Sequence, residues 1–583
     1  MTKLIFCDFE TNEGAVERQL TDVWCLGYKL QGTPPQVVTD NIKDVLQGFI
    51  DDGYVPVFHN AAFDLWVAES IGVQNIKAFH DTMLIHYLVA PTESHSLASL
   101  GEQLGYPKLE STPFNDGYTE QMGTYCKRDV EITEVAFNEY YKLLSSIKPL
   151  QSLYFSVELP FIRCIIDMEV RGVQVDKERW FDVLKGLEAE QLSLLDDPLL
   201  KSVPPQLGRK SKTKRMRPDE QVSTDPEIGK WCLVEHGEEY KWAMWEPFNP
   251  ASSQQVGNVL GLDKSDSDTL EECGNPLASI ILKYRKVTKM LSTYGESLLK
   301  QTHADDRLHG SYNQTVTRTG RLSSSKPNLQ NVPSRGDIGG VIRSLFIAPP
   351  GRKLVSIDLD QFQLRIYAWY LHNMVDTGEF PDADALWSDF NNNPNADPHQ
   401  AKADVLGIPR GVAKTLNFAV LFGASPAKAA VTAGTTVEEM KGFFETQDSL
   451  FPSGKVLRDT IIKAVRSNRG VLFDLYGRRG WYPEVNESDW GLKGRAERQA
   501  FNFIIQATEA TIVKMIIIEA RQRLLGKADL IMTVHDEITF ECDLDKAESV
   551  RVILDDVVNN TPWLPGLKVT GTATVGDNWH DVH

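Results

Sequence analysis

Two short apolar runs constrain this chain more than any other feature. LIFCDFET occupies residues 4–11 and LVSIDLDQ residues 354–361, and both end in Asp-x-acid. A short apolar run of this kind reads as a buried strand. In a strand, residues i and i+2 face the same side, about 7 Å apart, so Asp8 and Glu10 present two carboxylates together. Like charges that close repel unless a cation lies between them. The same pattern recurs about 350 residues downstream, which implies two acid-bearing strands in two separate α/β layers. At 583 residues the chain has room for three or four domains.

Residues 1–148 alternate between strand and helix signals. Strands are expected at 3–9, 23–30 and 55–59, and helices at 41–51, 61–71, 81–90 and 121–144. HNAAFDLWV places Asn60 and Asp64 where a strand gives way to a helix. YCKRDVEIT places Tyr125 and Asp129 one helical turn apart. Asp8, Glu10, Asp64 and Asp129 form a hard-oxygen set suited to Mg²⁺ or Mn²⁺. Four carboxylates and a tyrosine are what two-metal phosphodiester hydrolysis requires, the phenol orienting the water.

The second half is denser in signals. QTVTRTGRLSSSKPNLQNVP (314–333) is rich in donors for phosphates and minor-groove acceptors. KLVSIDLDQFQLRIYAWY then runs from strand into helix, with Asp358 at the strand's polar end. DLIMTVHDEITFEC (529–542) reads as two strands joined at His535-Asp536-Glu537. A strand-end Asp358 and a hairpin-tip Asp536 can meet across a sheet and share two cations, one acting on a 3′-hydroxyl and one on a triphosphate. Between them, PRGVAKTLNFAVLFG (409–423) is bracketed by Pro409 and Gly423 as a helix. Arg410, Lys414, Phe418 and Phe422 recur every four residues along one face. Two cations followed by two aromatics match a triphosphate with a base stacked beyond it.

The net charge of −19 argues at first against a polyanionic partner, but the basic residues are clustered. Residues 281–294 hold four bases and no acid, and 201–218 hold seven bases and no acid. Basic islands in an acidic chain suit local grip on nucleic acid. The seven cysteines are scattered without a C-x-x-C pair, which fits neither a disulfide scaffold nor a zinc site and suggests a reduced, cytoplasmic protein. No apolar run is judged long enough to span a bilayer, so no membrane partner is expected, and the N-terminus does not read as a signal peptide.

Taken in order, the D-x-E, N-x-x-x-F-D and Y-x-x-x-D motifs resemble the proofreading 3′→5′ exonucleases of the DnaQ-like, ribonuclease-H-like class. FNPASSQQV (248–256), TGRLSSSKPNLQNVP, YGRRGWYP (476–483), ERQAFNFIIQATEA (497–510), VHDE and GDNWHDVH resemble the DNA polymerases of family A. The resemblance covers nearly the whole chain. It implies an α/β multidomain fold, a ribonuclease-H-like exonuclease domain followed by a right hand of thumb, palm and fingers. The expected divisions are exonuclease 1–148, thumb 149–304 with a basic insertion at 201–247, palm 305–395 and 481–583, and fingers 396–480. The implied metal ligands are Asp8, Glu10, Asp64 and Asp129 at one site and Asp358, Leu359 and Asp536 at the other. Each site would take two Mg²⁺, with Mn²⁺ as a substitute. Tyr125 is implied as the residue positioning the attacking water. Arg410, Lys414, Phe418 and His399 are implied as nucleotide contacts, Arg321, Asn502 and Gln506 as primer–template contacts, and His535 as a contact to the primer end. The implied partners are primer–template DNA and dNTPs, with a processivity factor at the insertion and a replicative helicase as further candidates.

The chain departs from the family pattern at three positions. Gln363 stands where a Glu normally presses on the sugar's 2′ carbon, Phe422 lacks a tyrosine hydroxyl, and Asp360 replaces a serine. An amide at 363 can donate to a 2′-hydroxyl, which a carboxylate cannot. The exonuclease signature opens at residue 4 without a preceding 5′-nuclease, which favours a phage-type replicase in a bacterial host's cytoplasm. The 201–247 segment either tracks DNA or is a disordered loop. A single-subunit RNA polymerase and a binding protein with inactive sites are the competing readings. The exonuclease motifs and the T-G-R-L-S-S segment oppose the first, and complete carboxylate sets oppose the second.

Overall fold

The computed structural model describes residues 2–12, 22–110, 117–211, 228, 231–236, 239–333, 336–393 and 396–583. The chain forms two compact units. One comprises Met1–Val175 with Arg307–His583, and the other Asp176–Asp306.

The first unit opens with a five-stranded sheet in the order β3-β2-β1-β4-β5, built from β1 (Leu4–Thr11), β2 (Val23–Leu30), β3 (Gln36–Val38), β4 (Val55–Phe58) and β5 (His80–Asp81). β1 pairs antiparallel with β2 and parallel with β4. A strand flanked on both sides and covered by helices must be apolar on both faces, and Ile5, Phe6 and Cys7 are all buried. Helices Ile42–Asp51, Ala61–Ser70, Thr82–Val89 and Glu120–Ser146 include the four expected. The two- and three-residue strands β3 and β5 were too short to show a period.

A helical stretch, Lys148–Arg171, leads from this sheet to β6 (Val173–Gln174), which pairs with β10 (Arg307–Leu308). Residues 149–175, expected with the thumb, therefore belong to the first unit. Buried residues here, including Leu150, Tyr154 and Ile162, share the core of the five-stranded sheet.

The Asp176–Asp306 unit contains the helices Lys177–Leu195 and Pro276–Tyr294, and Trp180 donates its indole N–H to the Tyr294 carbonyl at 2.9 Å. β7 (Gln206–Ser211), β8 (Trp231–His236) and β9 (Glu239–Glu246) form a sheet in the order β7-β9-β8. The segment read as either a DNA-tracking insertion or a disordered loop is partly a sheet. Residues 212–218 of the basic island lie outside the described residues.

After β10 come two short hairpin pairs, β11 (Ser311–Asn313) with β12 (Ser323–Ser325) and β14 (Val471–Phe473) with β15 (Arg479–Trp481). The second large sheet is antiparallel, in the order β16-β17-β13-β18, from β13 (Arg352–Leu359), β16 (Ala528–Val534), β17 (Glu537–Asp543) and β18 (Gly571–Gly576). The helix Trp490–Leu524 runs 35 residues, about 52 Å. Contrary to the sequence reading, it carries an 18-residue window apolar enough to cross a membrane, and 78% of that window is buried within the protein. Polar positions spaced through this segment concealed its apolar average.

Candidate active sites

The first site lies on β1 and the helices beside it. Asp8 and Glu10 project from one face of β1, and Asp64 lies in the first turn of Ala61–Ser70. That helix begins where Asn60 adopts a left-handed conformation, φ 71°. Asp81 fixes the corner by accepting from the backbone N–H groups of Asn60, Ala61, Met83 and Leu84. Asp64 Oδ1 accepts from the Phe9 N–H at 3.3 Å, which ties it to the strand between Asp8 and Glu10. Tyr125 and Asp129 come from Glu120–Ser146. The five expected residues are thus brought together.

Burial, then repulsion from Asp129, pushes the Asp8 carboxyl up to about 7. Burial and the Asp8 charge push Glu10 up to about 9. Asp64 is raised by burial and by Asp8. Carboxylates that destabilise one another in this way favour a cation among them. Asp129 Oδ1 is buried with no hydrogen-bond partner among the described residues. The hard-oxygen donor set and this open acceptor fit a divalent ion.

Two participants escaped the sequence reading. Lys108 Nζ lies 2.7 Å from Asp129 Oδ2 and 4.7 Å from the centre of the Tyr125 ring. Burial alone would lower its pKa, but Asp129 more than reverses the effect. No motif marks Lys108. Cys126 offers its sulfur within 4.8 Å of ligand atoms of Asp8 and Glu10, although cysteine spacing had pointed away from a zinc site.

The second site lies at one end of the antiparallel sheet. Asp358 is the penultimate residue of β13, and β17 runs beside that strand with Ile357 opposite Ile538. The β16–β17 turn is tighter than expected: it consists of His535 and Asp536, with His535 left-handed at φ 58°, and Glu537 already belongs to β17. Glu537 is buried and accepts from Arg343, Ser356 and Trp579, so it serves the sheet. Burial, Asp358 and Glu509 push Asp536 up to about 8. Asp358 is exposed at the end of its strand, yet partial desolvation and then Glu537 raise its carboxyl, and Asp360 adds to the effect. The charge of Asp358 is thus felt at Asp536, and two carboxyls so placed fit a cation. Leu359 has a buried side chain and can offer only its backbone carbonyl. Asp360 is exposed.

The helix Arg410–Phe422 carries the four-residue pattern, and Gly423 ends it in the left-handed region at φ 61°. Phe418 and Phe422 stack with ring centres 5.9 Å apart and planes 4° from parallel. Arg410 Nε donates to Asp397 at 2.7 Å. His399 is buried behind this face, bonded to the Asn417 amide at 2.9 Å and tilted against Phe418. Asn502 donates to the Phe422 carbonyl at 3.2 Å, holding the last turn of this helix. Gln506 is half-buried on the same stripe of the long helix.

Gln363 Nε2 donates to Glu509 Oε1 at 3.0 Å, and Arg321 donates through Nε to Glu509 Oε2 at 2.9 Å. The amide expected to meet a 2′-hydroxyl is therefore engaged by a carboxylate. Glu509 also went unnoticed in the sequence. Its position three residues past Gln506 on one helix face was the available signal.

Known proteins resemble this chain throughout. The model of DNA polymerase family A matches residues 230–581. A 3′-5′ exonuclease model matches residues 34–139, beginning beyond Asp8 and Glu10. DNA polymerase I of Borreliella burgdorferi is 28% identical over 545 residues, covering 90% of this chain and 55% of that protein. DNA polymerase I of Pseudomonas aeruginosa is 27% identical over 606 residues, covering 96% and 60%. The chain thus spans little more than half the length of these relatives. A solved structure described as the POL domain of Pol1 from M. smegmatis in complex with DNA primer-template and dNTP superposes with a TM-score of 0.80 at 22% identity. That match covers 100% of this chain and 96% of the other, so the two share a fold.

Proposed function

Because this chain belongs to DNA polymerase family A, we propose that it extends a primer 5′→3′ on a DNA template and removes nucleotides from primer 3′ ends at a second site. The observation that carries this reading is that one chain builds two acid clusters beside two different sheets, Asp8–Glu10–Asp64–Asp129 and Asp358–Asp536. The relatives named above are bacterial and lend no support to a phage replicase.

Asp8, Glu10, Asp64 and Asp129 would hold two divalent cations at the exonuclease site. Asp358 and Asp536, with the Leu359 carbonyl, would hold two at the polymerase site. When bound, Mg²⁺ or substituting Mn²⁺ lowers the pKa of an attacking hydroxyl or water and neutralises charge on the leaving oxygen. The Tyr125 phenol orients the water. Arg410 exchanges Asp397 for a phosphate of the incoming dNTP, Lys414 adds a second charge, and the Phe418–Phe422 stack supplies a platform for the base. His399 supports that face from behind. Arg321, Asn502 and Gln506 contact primer–template, and His535 the primer end. Gln363 borders the sugar, where its bulk excludes a 2′-hydroxyl. On the same reading, a processivity factor would engage the 201–247 segment, and a replicative helicase would accompany the enzyme.

Separating the two activities tests the assignment. Asp8→Ala with Glu10→Ala should abolish primer degradation and leave extension nearly intact. Asp358→Asn or Asp536→Asn should do the reverse. Extension at the parent rate by either palm variant would sink the polymerase assignment.

A further inference from the structure

The carboxylate of Glu509 joins two segments distant in sequence. One oxygen receives the amide of Gln363, from the first turn of the helix that follows Asp358. The other receives the guanidinium of Arg321, from the polar segment before the sheet, through both Nε and Nη2. The Glu509 side chain is 4% exposed, and both of its oxygens accept hydrogen bonds. It also lies near enough to Asp536 to help raise that carboxyl.

Resting on the polymerase reading above, we propose that Glu509 is a positioning residue for sugar selection. It anchors Gln363 as a fixed wall beside the acidic pair and locks Arg321 to the same support. A carboxylate only accepts, so it sets which end of the Gln363 amide faces which way. Nε2 turns toward Glu509, and Oε1 is left buried with no partner among the described residues. A glutamine side chain without such an anchor has several rotamers to yield into. The anchor stands on the long helix, seven residues beyond Asn502 and three beyond Gln506, so the gate's support and the expected primer contacts share one helix.

The chemistry also predicts a coupled pair. Gln363→Glu sets two carboxylates where a donor and acceptor now lie 3.0 Å apart, and like charges at that separation repel. Adding Glu509→Gln restores a donor and an acceptor with their roles exchanged.

The test uses the full chain carrying Asp8→Ala and Glu10→Ala, with single-nucleotide incorporation of dATP and ATP. Glu509→Ala should lower the dATP:ATP ratio of kcat/KM about tenfold, the scale of one hydrogen bond to a charged group, chiefly by lowering KM for ATP. Gln363→Glu alone should depress dATP incorporation, and the double variant should recover most of the loss. Loss of folding would slow both nucleotides equally and leave the ratio unchanged. A parent that fails to extend with dATP overturns the polymerase reading itself. A parent that extends, with a ratio unmoved by Glu509→Ala and a double variant no better than the product of its singles, overturns this proposal alone.

Discussion

Lys514 Nζ lies 2.8 Å from Glu158 Oε2 in the interior of the first unit, and Arg478 pairs with the other oxygen of the same carboxylate. All three side chains are buried. They come from the stretch after the five-stranded sheet, from the turn before β15 and from the long helix, so one carboxylate holds three distant segments.

Removing that carboxylate takes from Lys514 its buried ion-pair partner and leaves Arg478 with Asp474 alone, a loss of about 3–5 kcal/mol. Glu158→Gln should therefore lower the denaturant midpoint sharply without touching either acid cluster. A pH signature accompanies it. Burial works to raise the Glu158 pKa, but Arg478 and Lys514 overcome it and hold the carboxyl down at about 2 against an ordinary 4.5. A depressed acid contributes stability that is fully present above about 4.5 and is lost as pH falls toward 2. The parent should lose its advantage over Glu158→Gln across that window. Parallel stability curves for the two proteins would refute the pairing.

Metal binding at the first site should release protons. Asp8 and Glu10 titrate near 7 and 9, so at neutral pH the site holds protons that a cation must displace. Affinity for Mn²⁺ should rise with pH until about 9. Titration calorimetry of the Asp358→Asn/Asp536→Asn protein in two buffers of different ionisation enthalpy measures the release directly. Lys108→Gln, which removes a competing charge from Asp129, should tighten binding at every pH.

Cys126 gives the same site a soft donor beside two hard ones. Thiolates favour ions such as Cd²⁺. Adding Cd²⁺ should produce an ultraviolet sulfur-to-metal charge-transfer band that Cys126→Ser abolishes. A band that survives the substitution would place the ion elsewhere.

The acid-bearing strands and the helix 410–422 were legible because their signals are local. An apolar run with an acid at its end, or a four-residue period between Pro409 and Gly423, requires no knowledge of the rest of the chain. Lys108, Cys126 and the Glu158–Arg478–Lys514 group were not legible, since each acquires its role from a partner distant in sequence. Gln363 shows the intermediate case. Its departure from the family pattern could be seen in the sequence, but the carboxylate that answers it, 146 residues downstream, appears only once the helix Trp490–Leu524 is packed.

The basic island at 201–218 predicts a salt effect. Each phosphate contact adds about 0.9 to the log–log salt slope of duplex binding. Neutralising four of its seven bases should flatten the slope by up to about 3.6 and shorten the product made per encounter. Identical slopes would mean the island does not touch DNA.

The pairing of β6 with β10 sets Gln174 opposite Arg307, so the chain leaves the first unit and returns to it through adjacent strands. The 131 residues of Asp176–Asp306 are in effect a cassette spliced into a two-strand socket. Closing such a loop costs only about 0.6 kcal/mol more for each doubling of its length, so the socket is nearly indifferent to what it carries. The unit expected to act as the thumb can therefore be lengthened, shortened or grafted from a relative as a single exchangeable part. The two acid clusters, both outside the cassette, would keep the same covalent framework throughout.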